Sequence, residues 1–148
     1  VAICLVPAGA HFFEMGNKLA LPPAEYMVVQ QIYRGWAFFG IAVFAALALT
    51  LGHTIMVWRV PAARWPSLLS FLAIAATQAI FWTYTYPMNA LTRNWTVMPA
   101  DLESARRQWE FSHAVNAGIT LAALVLIVLA ALAGAHDGKV DKSEPRPG

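Results

Sequence analysis

Three stretches of the chain, 35–58, 65–92 and 111–136, contain no Asp, Glu, Lys or Arg and are dominated by Ala, Leu, Ile, Val, Phe and Trp. Each exceeds the roughly 20 residues that a helix needs to cross a bilayer at about 1.5 Å per residue. The pattern predicts spanning helices over 35–58, 67–90 and 112–135. Trp36 and Trp58 bracket the first of these at roughly 33 Å, matching the two headgroup belts where Trp is enriched. The opening Val1 to Ala10 is also uncharged and apolar. It is about half a span long, so residues 1–16 read as the exit half of a further span that begins upstream, kinked where Pro7 lacks a backbone donor.

The polar interruptions define the rest. Asn17 to Pro23 breaks the first helix, and Pro23 at a first turn with Glu25 at its positive end predicts a short helix toward Arg34, lying along the membrane interface. Pro61, Arg64 and Pro66 read as a basic turn. Pro99-Ala100-Asp101 opens the last helix with Asp101 as its N-cap. The segment 136–148 is polar, contains prolines and is too poor in apolar residues to fold, so it is expected to be a disordered tail. The expected fold is all-α: a four-helix, up-and-down transmembrane bundle with a short interfacial helix between the first two spans, forming one membrane domain over 1–135. Small residues at four-residue spacing (Ala42/Ala46, Ala75/Ala79, Gly118/Ala122, Ala130/Gly134) suit close approach of helices in lipid.

Composition supports the membrane assignment. Of 148 residues, 59% are hydrophobic and 12% charged, against about 25% charged in soluble domains. A net charge of +2 without a Lys/Arg block excludes a nucleic-acid groove. The lone Cys4 cannot form an internal disulfide. Partners are the lipid bilayer and, on one reading, larger membrane-protein subunits. Sidedness ties: Lys18, Arg34, Arg93, Arg106 and Arg107 fall on one side, and Arg59, Arg64, Lys139, Lys142 and Arg146 on the other. The shortest loop, 59–66, is purely basic, which favours the cytoplasm for it and the tail, in a bacterial inner membrane.

Threading the chain through alternating spans gathers His11, Glu14, Asn17, Tyr84, Tyr86, Asn89, Glu110, His113 and Asn116 at one face. His11, Glu14 and Lys18 share one helical stripe, and Arg106, Glu110 and His113 share another. Ionisable groups at membrane depth turn inward, because lipid exposure costs at least about 2.5 kcal/mol each. Three readings stay open. The charged groups are interfacial and pair or snorkel, fixing helix register in a structural subunit. Alternatively His11, Glu14, Glu110 and His113 hold a single metal ion, or the two histidines a heme. In the third, Trp82, Tyr84, Asn89, Trp109 and Asn116 line a cavity for a quinone-like or polycyclic aromatic ligand, with Tyr86 as a further wall and His113 and Glu110 as a catalytic proton-transfer pair of an oxidoreductase-like protein.

Pro87-Met88-Asn89, Trp95 and Trp109-Glu110-Phe111-Ser112-His113, leading into an Ala/Leu helix, resemble the anthrone-oxygenase-like family of small four-helix membrane proteins. The resemblance covers the last two spans and, loosely, the first. It implies a four-helix membrane fold, cofactor-free oxidation of anthrones to quinones, and Asn89, Trp109 and His113 as the positions that carry over. The chain departs from that pattern at Asn116, where arginine is usual, and at Ser112, where asparagine is usual.

Overall fold

A computed structural model describes the backbone of residues 1–143 and the side chains of residues 1–136. The described residues are mostly helical and contain no strand. Helix α1 (Ala2–Leu19) is followed by α2 (Pro23–Val29) and by 3-10 turns at Gln30–Tyr33 and Trp36–Phe38. Then come α3 (Phe39–Met56), α4 (Pro61–Ile80), a π turn (Phe81–Thr85), α5 (Tyr86–Leu91) and α6 (Leu102–Ser143).

Three stretches are long and apolar enough to cross a membrane: Trp36–Met56, Pro61–Leu91 and Leu102–His136. Residues 1–16 are not among them, since His11, Glu14, Asn17 and Lys18 dilute the apolar content of α1. Nevertheless α1 packs along α6, with its inward residues Cys4, His11 and Lys18 buried. Neighbouring helices run antiparallel: His53 near the end of α3 meets Ser67 near the start of α4, at 2.8 Å. Between α4 and α6 the Ser70 hydroxyl donates to the Ala123 carbonyl, and further along the Thr85 and Ser112 hydroxyls meet.

Packing follows the logic of lipid rather than water. Small inward side chains (Ala46, Ala63, Ala123, Ala130) are buried, whereas Ile41, Phe44, Leu49, Ile55, Leu121 and Leu132 face out. In lipid, close contact between small residues takes the place of hydrophobic collapse as a cause of association. Ala42/Ala46 and Ala130/Gly134 lie on inward or half-buried positions, while Ala79, Gly118 and Ala122 face outward, so those two of the four expected small-residue pairs do not serve packing.

Helix ends show both agreement and correction. Asp101 caps α6, its Oδ1 accepting from the Ser104 N–H at 3.0 Å. The expected basic turn at 59–66 is instead largely the first turns of α4, because Pro61 takes the N1 position where no donor is needed. Gly35, with φ +89°, supplies the left-handed corner that aims the chain into α3. Helix α6 runs on to Ser143, past the expected boundary at 135; of the expected disordered tail, residues 144–148 lie outside the described residues.

Pro87 cannot donate to the preceding turn, and the chain widens into the π turn just before it. The Tyr84 carbonyl in that turn is satisfied from α6, by Gln108 Nε2 at 3.0 Å. One extra residue per turn has a consequence for side-chain direction. From inward Thr77, the inward position two turns later is 84 in a regular helix, but here it is Thr85, which is fully buried.

Candidate functional site

Glu110 on α6 is the most deeply placed charge among the described residues, with no exposed surface. Lys18 reaches it from the last turn of α1, Nζ to Oε1 at 3.0 Å, with only 4% of its own side chain exposed. Burying two charges costs several kcal/mol per ion, which only good geometry and added hydrogen bonds offset. Those bonds come from the α2 region: Tyr26 Oη donates to Glu110 Oε1 at 2.9 Å, and Gln30 Nε2 donates to the same oxygen at 3.3 Å. Lys18 Nζ also donates to Tyr33 Oη at 2.8 Å, and Tyr33 Oη donates to Glu14 Oε2. The Lys18 ammonium lies over the rings of Tyr33 and Trp109, at 4.7 and 4.9 Å from their centroids, an attraction that strengthens when water is excluded.

A ring cluster continues the site along α1 and α6. His11 and His113 stack with centroids 4.1 Å apart, tilted by 33°. Trp109 packs edge-on to His11 at 4.9 Å and against His113 at 4.2 Å. Tyr33 and Trp36 close the other side of His11, at 4.4 and 5.5 Å. Behind this wall Asn89 Oδ1 accepts two indole N–H groups, from Trp109 at 2.8 Å and Trp95 at 3.2 Å. Among the described residues, Glu110 Oε2, Gln30 Oε1, His11 Nδ1 and Asn116 Oδ1 are buried polar atoms without a hydrogen-bond partner. Native proteins leave few such atoms, and each asks for a functional or structural reason.

The structure therefore brings together His11, Glu14, Asn89, Trp109, Glu110 and His113 from the sequence-derived set. Asn116 is buried on α6 near this end but touches none of the cluster's hydrogen bonds. Trp82 and Tyr84 are excluded. They are 58% and 52% exposed, and Trp82 stacks on Phe81 and Tyr86 at the outer surface. The π turn is the reason for Tyr84, since it rotates that position off the inward face. Arg106 does not join Glu110 as its stripe suggested; it pairs with Glu103 and donates to the Leu21 carbonyl.

The metal reading also needs correction. Among the described residues no three His, Cys, Asp or Glu side chains are grouped to hold a metal ion. Glu110 is engaged by Lys18, Glu14 is held by Tyr33, and His11 and His113 present ring faces to each other rather than converging nitrogens. Rings stacked at 4.1 Å also leave no gap for a porphyrin plane between them, so a bis-histidine heme does not fit.

Tyr26, Gln30, Tyr33, Trp36 and Trp95, with the pairing of Lys18, are the site residues that sequence reasoning missed. A signal existed: Tyr26, Gln30 and Tyr33 follow at spacings of four and three, one polar stripe. Burial, and next the Glu110 carboxylate, holds the Tyr26 phenol well above its ordinary 10.0. Burial and the hydrogen bond to Glu14 raise that of Tyr33. Both phenols then stay protonated in the folded state where the unfolded chain ionises, so stability falls as pH rises above about 10. In a spectrophotometric titration, Tyr26 and Tyr33 should remain un-ionised until the fold is lost; their ionisation in the folded protein, tracked by Tyr→Phe variants, would contradict this geometry.

No protein family, curated protein or solved structure matches the chain.

Proposed function

We propose that this chain is a four-span membrane protein whose one-sided polar site binds a flat, lipid-soluble aromatic molecule bearing a hydroxyl or carbonyl oxygen, and exchanges a proton with it through Glu110. In this reading α1 is the fourth span of an up-and-down bundle. Helix α2 lies at the interface with Tyr26 turned down into the site. The observation that carries the reading is Glu110 itself: a fully buried carboxylate with one oxygen held by Lys18, Tyr26 and Gln30 and the other without a partner. An intramembrane carboxylate is costly, and one left half-satisfied among aromatic rings suits polar recognition of an apolar ligand.

Access is from the lipid. A shallow groove of about 410 Å³ runs along the start of α3, lined by Gly35, Trp36, Phe39, Ala42 and Ala45 among others, and Trp36 stands between it and His11. Rotation of that indole joins the groove to the cluster. His11, His113 and Trp109 then form the stacking wall, and Glu110 Oε2 with His11 Nδ1 supplies the polar contacts. The likeness to anthrone-oxygenase-like proteins at Asn89, Trp109 and His113 belongs to the same proposal and agrees with an aromatic substrate.

A second reading has its own support: the network ties α1, α2 and α6 together, as a register-fixing device in a subunit of a larger membrane complex requires. Titration of the nanodisc-embedded protein with a monohydroxyanthraquinone, followed by tryptophan fluorescence, separates the two. The ligand reading expects saturable quenching, weakened at least about tenfold by Glu110→Gln, the size of one lost charged hydrogen bond. Quenching that rises linearly and equally in both proteins would leave the register-fixing reading in its place.

A further inference from the structure

The geometry points to a proton relay in which Tyr33 and Glu14 connect the buried Lys18–Glu110 pair to the polar surface. It rests on Glu110 as the proton-exchanging group and adds the route by which that proton leaves. Glu110 has no exposed surface, so any proton it takes from a ligand must be carried away by neighbours. One unbroken chain of hydrogen bonds does this: Glu110 Oε1 to Lys18 Nζ at 3.0 Å, Lys18 Nζ to Tyr33 Oη at 2.8 Å, and Tyr33 Oη to Glu14 Oε2. The Glu14 side chain is 41% exposed, so the chain runs from a sealed carboxyl to one that meets the polar boundary.

The step balances with proton movements alone. Once Glu110 is protonated, Lys18 passes a proton from Nζ to Tyr33 Oη while the tyrosine's own hydroxyl proton moves to the Glu14 carboxylate. Lys18 is then restored by the proton on Glu110, which arrives at the unpartnered Oε2 and is brought round to face Nζ by rotation of the protonated carboxyl about its Cγ–Cδ bond. In the first step a Lys18 N–H and the Tyr33 O–H break while a new Tyr33 O–H and a Glu14 O–H form; in the second the Glu110 O–H breaks and the Lys18 N–H re-forms, so the net result is a proton moved from Glu110 to Glu14, and no oxidant or metal takes part. The remaining polar neighbours do not compete for the path. Tyr26 and Gln30 face Glu110 as donors, and Arg106, 5.8 Å from the Tyr26 ring, is committed to Glu103 and the Leu21 carbonyl. His11 and His113 offer ring faces. Tyr33 serves the relay as a neutral phenol, in keeping with burial and Glu14 raising its pKa. It acts through Lys18, so it is a positioning residue.

The test uses exchange with water at Lys18, read by NMR on nanodisc-embedded protein with lysine carrying a heavy nitrogen isotope. Lys18, Lys139 and Lys142 are the lysines of the chain, and Lys18→Met assigns the buried ammonium signal. Removing a relay slows exchange, whereas loosening a merely structural contact speeds it, so the sign decides. Tyr33→Phe and Glu14→Gln are each expected to slow exchange of the Lys18 ammonium at least about tenfold, the low end of what a positioned proton-transfer group contributes, and Glu14→Asp to restore it. Unchanged or faster exchange in both variants, or a wild-type Lys18 that exchanges too fast to be observed, would overturn the relay. Should Tyr33→Phe fail to fold, Glu14→Gln decides alone, because that side chain is half-exposed. No aromatic probe is needed, so lost quenching with slowed exchange defeats the ligand reading only, and intact quenching with unslowed exchange defeats the relay only.

Discussion

Replacing Lys18 by Met is expected to destabilise the protein by about 3–5 kcal/mol, the usual cost of leaving one member of a buried ion pair without its partner. Glu110 has no exposed surface and sits 3.0 Å from the ammonium, so water cannot replace the lost charge. Glu110→Leu should cost a similar amount for the converse reason, since it strands a cation that is 3% exposed. The double variant Lys18→Met/Glu110→Leu should recover the part of the loss that comes from an unpaired charge, because an apolar pair of similar volume has no desolvation to offset, while Tyr26 Oη and Gln30 Nε2 stay without their acceptor. Glu14, 4.0 Å from the same ammonium and partly in contact with solvent, adds less than about 1 kcal/mol to this balance. Unfolding of the detergent-solubilised protein, followed by circular dichroism, measures all three; single variants that cost under about 1 kcal/mol would mean that the pair is wet and the site open.

Asn89→Leu carries the second large expected effect. A single side-chain oxygen accepts both the Trp109 and Trp95 indole N–H groups. Substitution by an apolar residue strands two buried donors at about 1–3 kcal/mol each. Trp95 depends on that bond more than Trp109 does. It ends a run of three left-handed non-glycine residues, Arg93, Asn94 and Trp95, with φ of 49°, 55° and 64°, each of which costs on the order of 1–2 kcal/mol. What holds them is the burial of Trp95, at 4% exposure, together with its backbone N–H to Thr92 Oγ1 and its indole to Asn89. Loss of the indole bond should therefore release the 92–95 turn. The readouts are a red-shifted tryptophan emission and faster proteolysis between α5 and α6, both reversed in Asn89→Asp, which keeps the acceptor. A variant with unchanged emission and protease resistance would show that the two indoles are held by ring packing alone.

These two expectations concern different halves of one site. The ion pair joins α1 to α6 from within, and Asn89 locks the aromatic wall from behind. Neither half is intelligible without α2, whose Tyr26 is buried completely and supplies the strongest neutral hydrogen bond to Glu110. A helix of seven residues has little stability by itself; its position follows from Tyr26 and from the packing of that ring on Trp95.

The amino-acid sequence by itself determined the three membrane-length helices, the Asp101 cap and the gathering of His11, Glu14, Asn89, Glu110 and His113 at one end. These follow from local rules: a charge-free run is recognised by its length, and residues three or four apart on a helix share a face wherever that helix sits. Only the tertiary structure decided which stripes meet. Lys18 turned to Glu110, 92 positions away, rather than resting with its near neighbour Glu14, because Cys4, His11 and Lys18 follow at seven-residue spacing on the one face of α1 that packs along α6. Tyr84 left the site because one residue inserted before Pro87 rotated the helix beneath it, and Tyr26 and Gln30 entered it because a short helix after Pro22-Pro23 folds back over α6. Helix phase and chain reversal are sums over many weak contacts, which is why no window of sequence contained them.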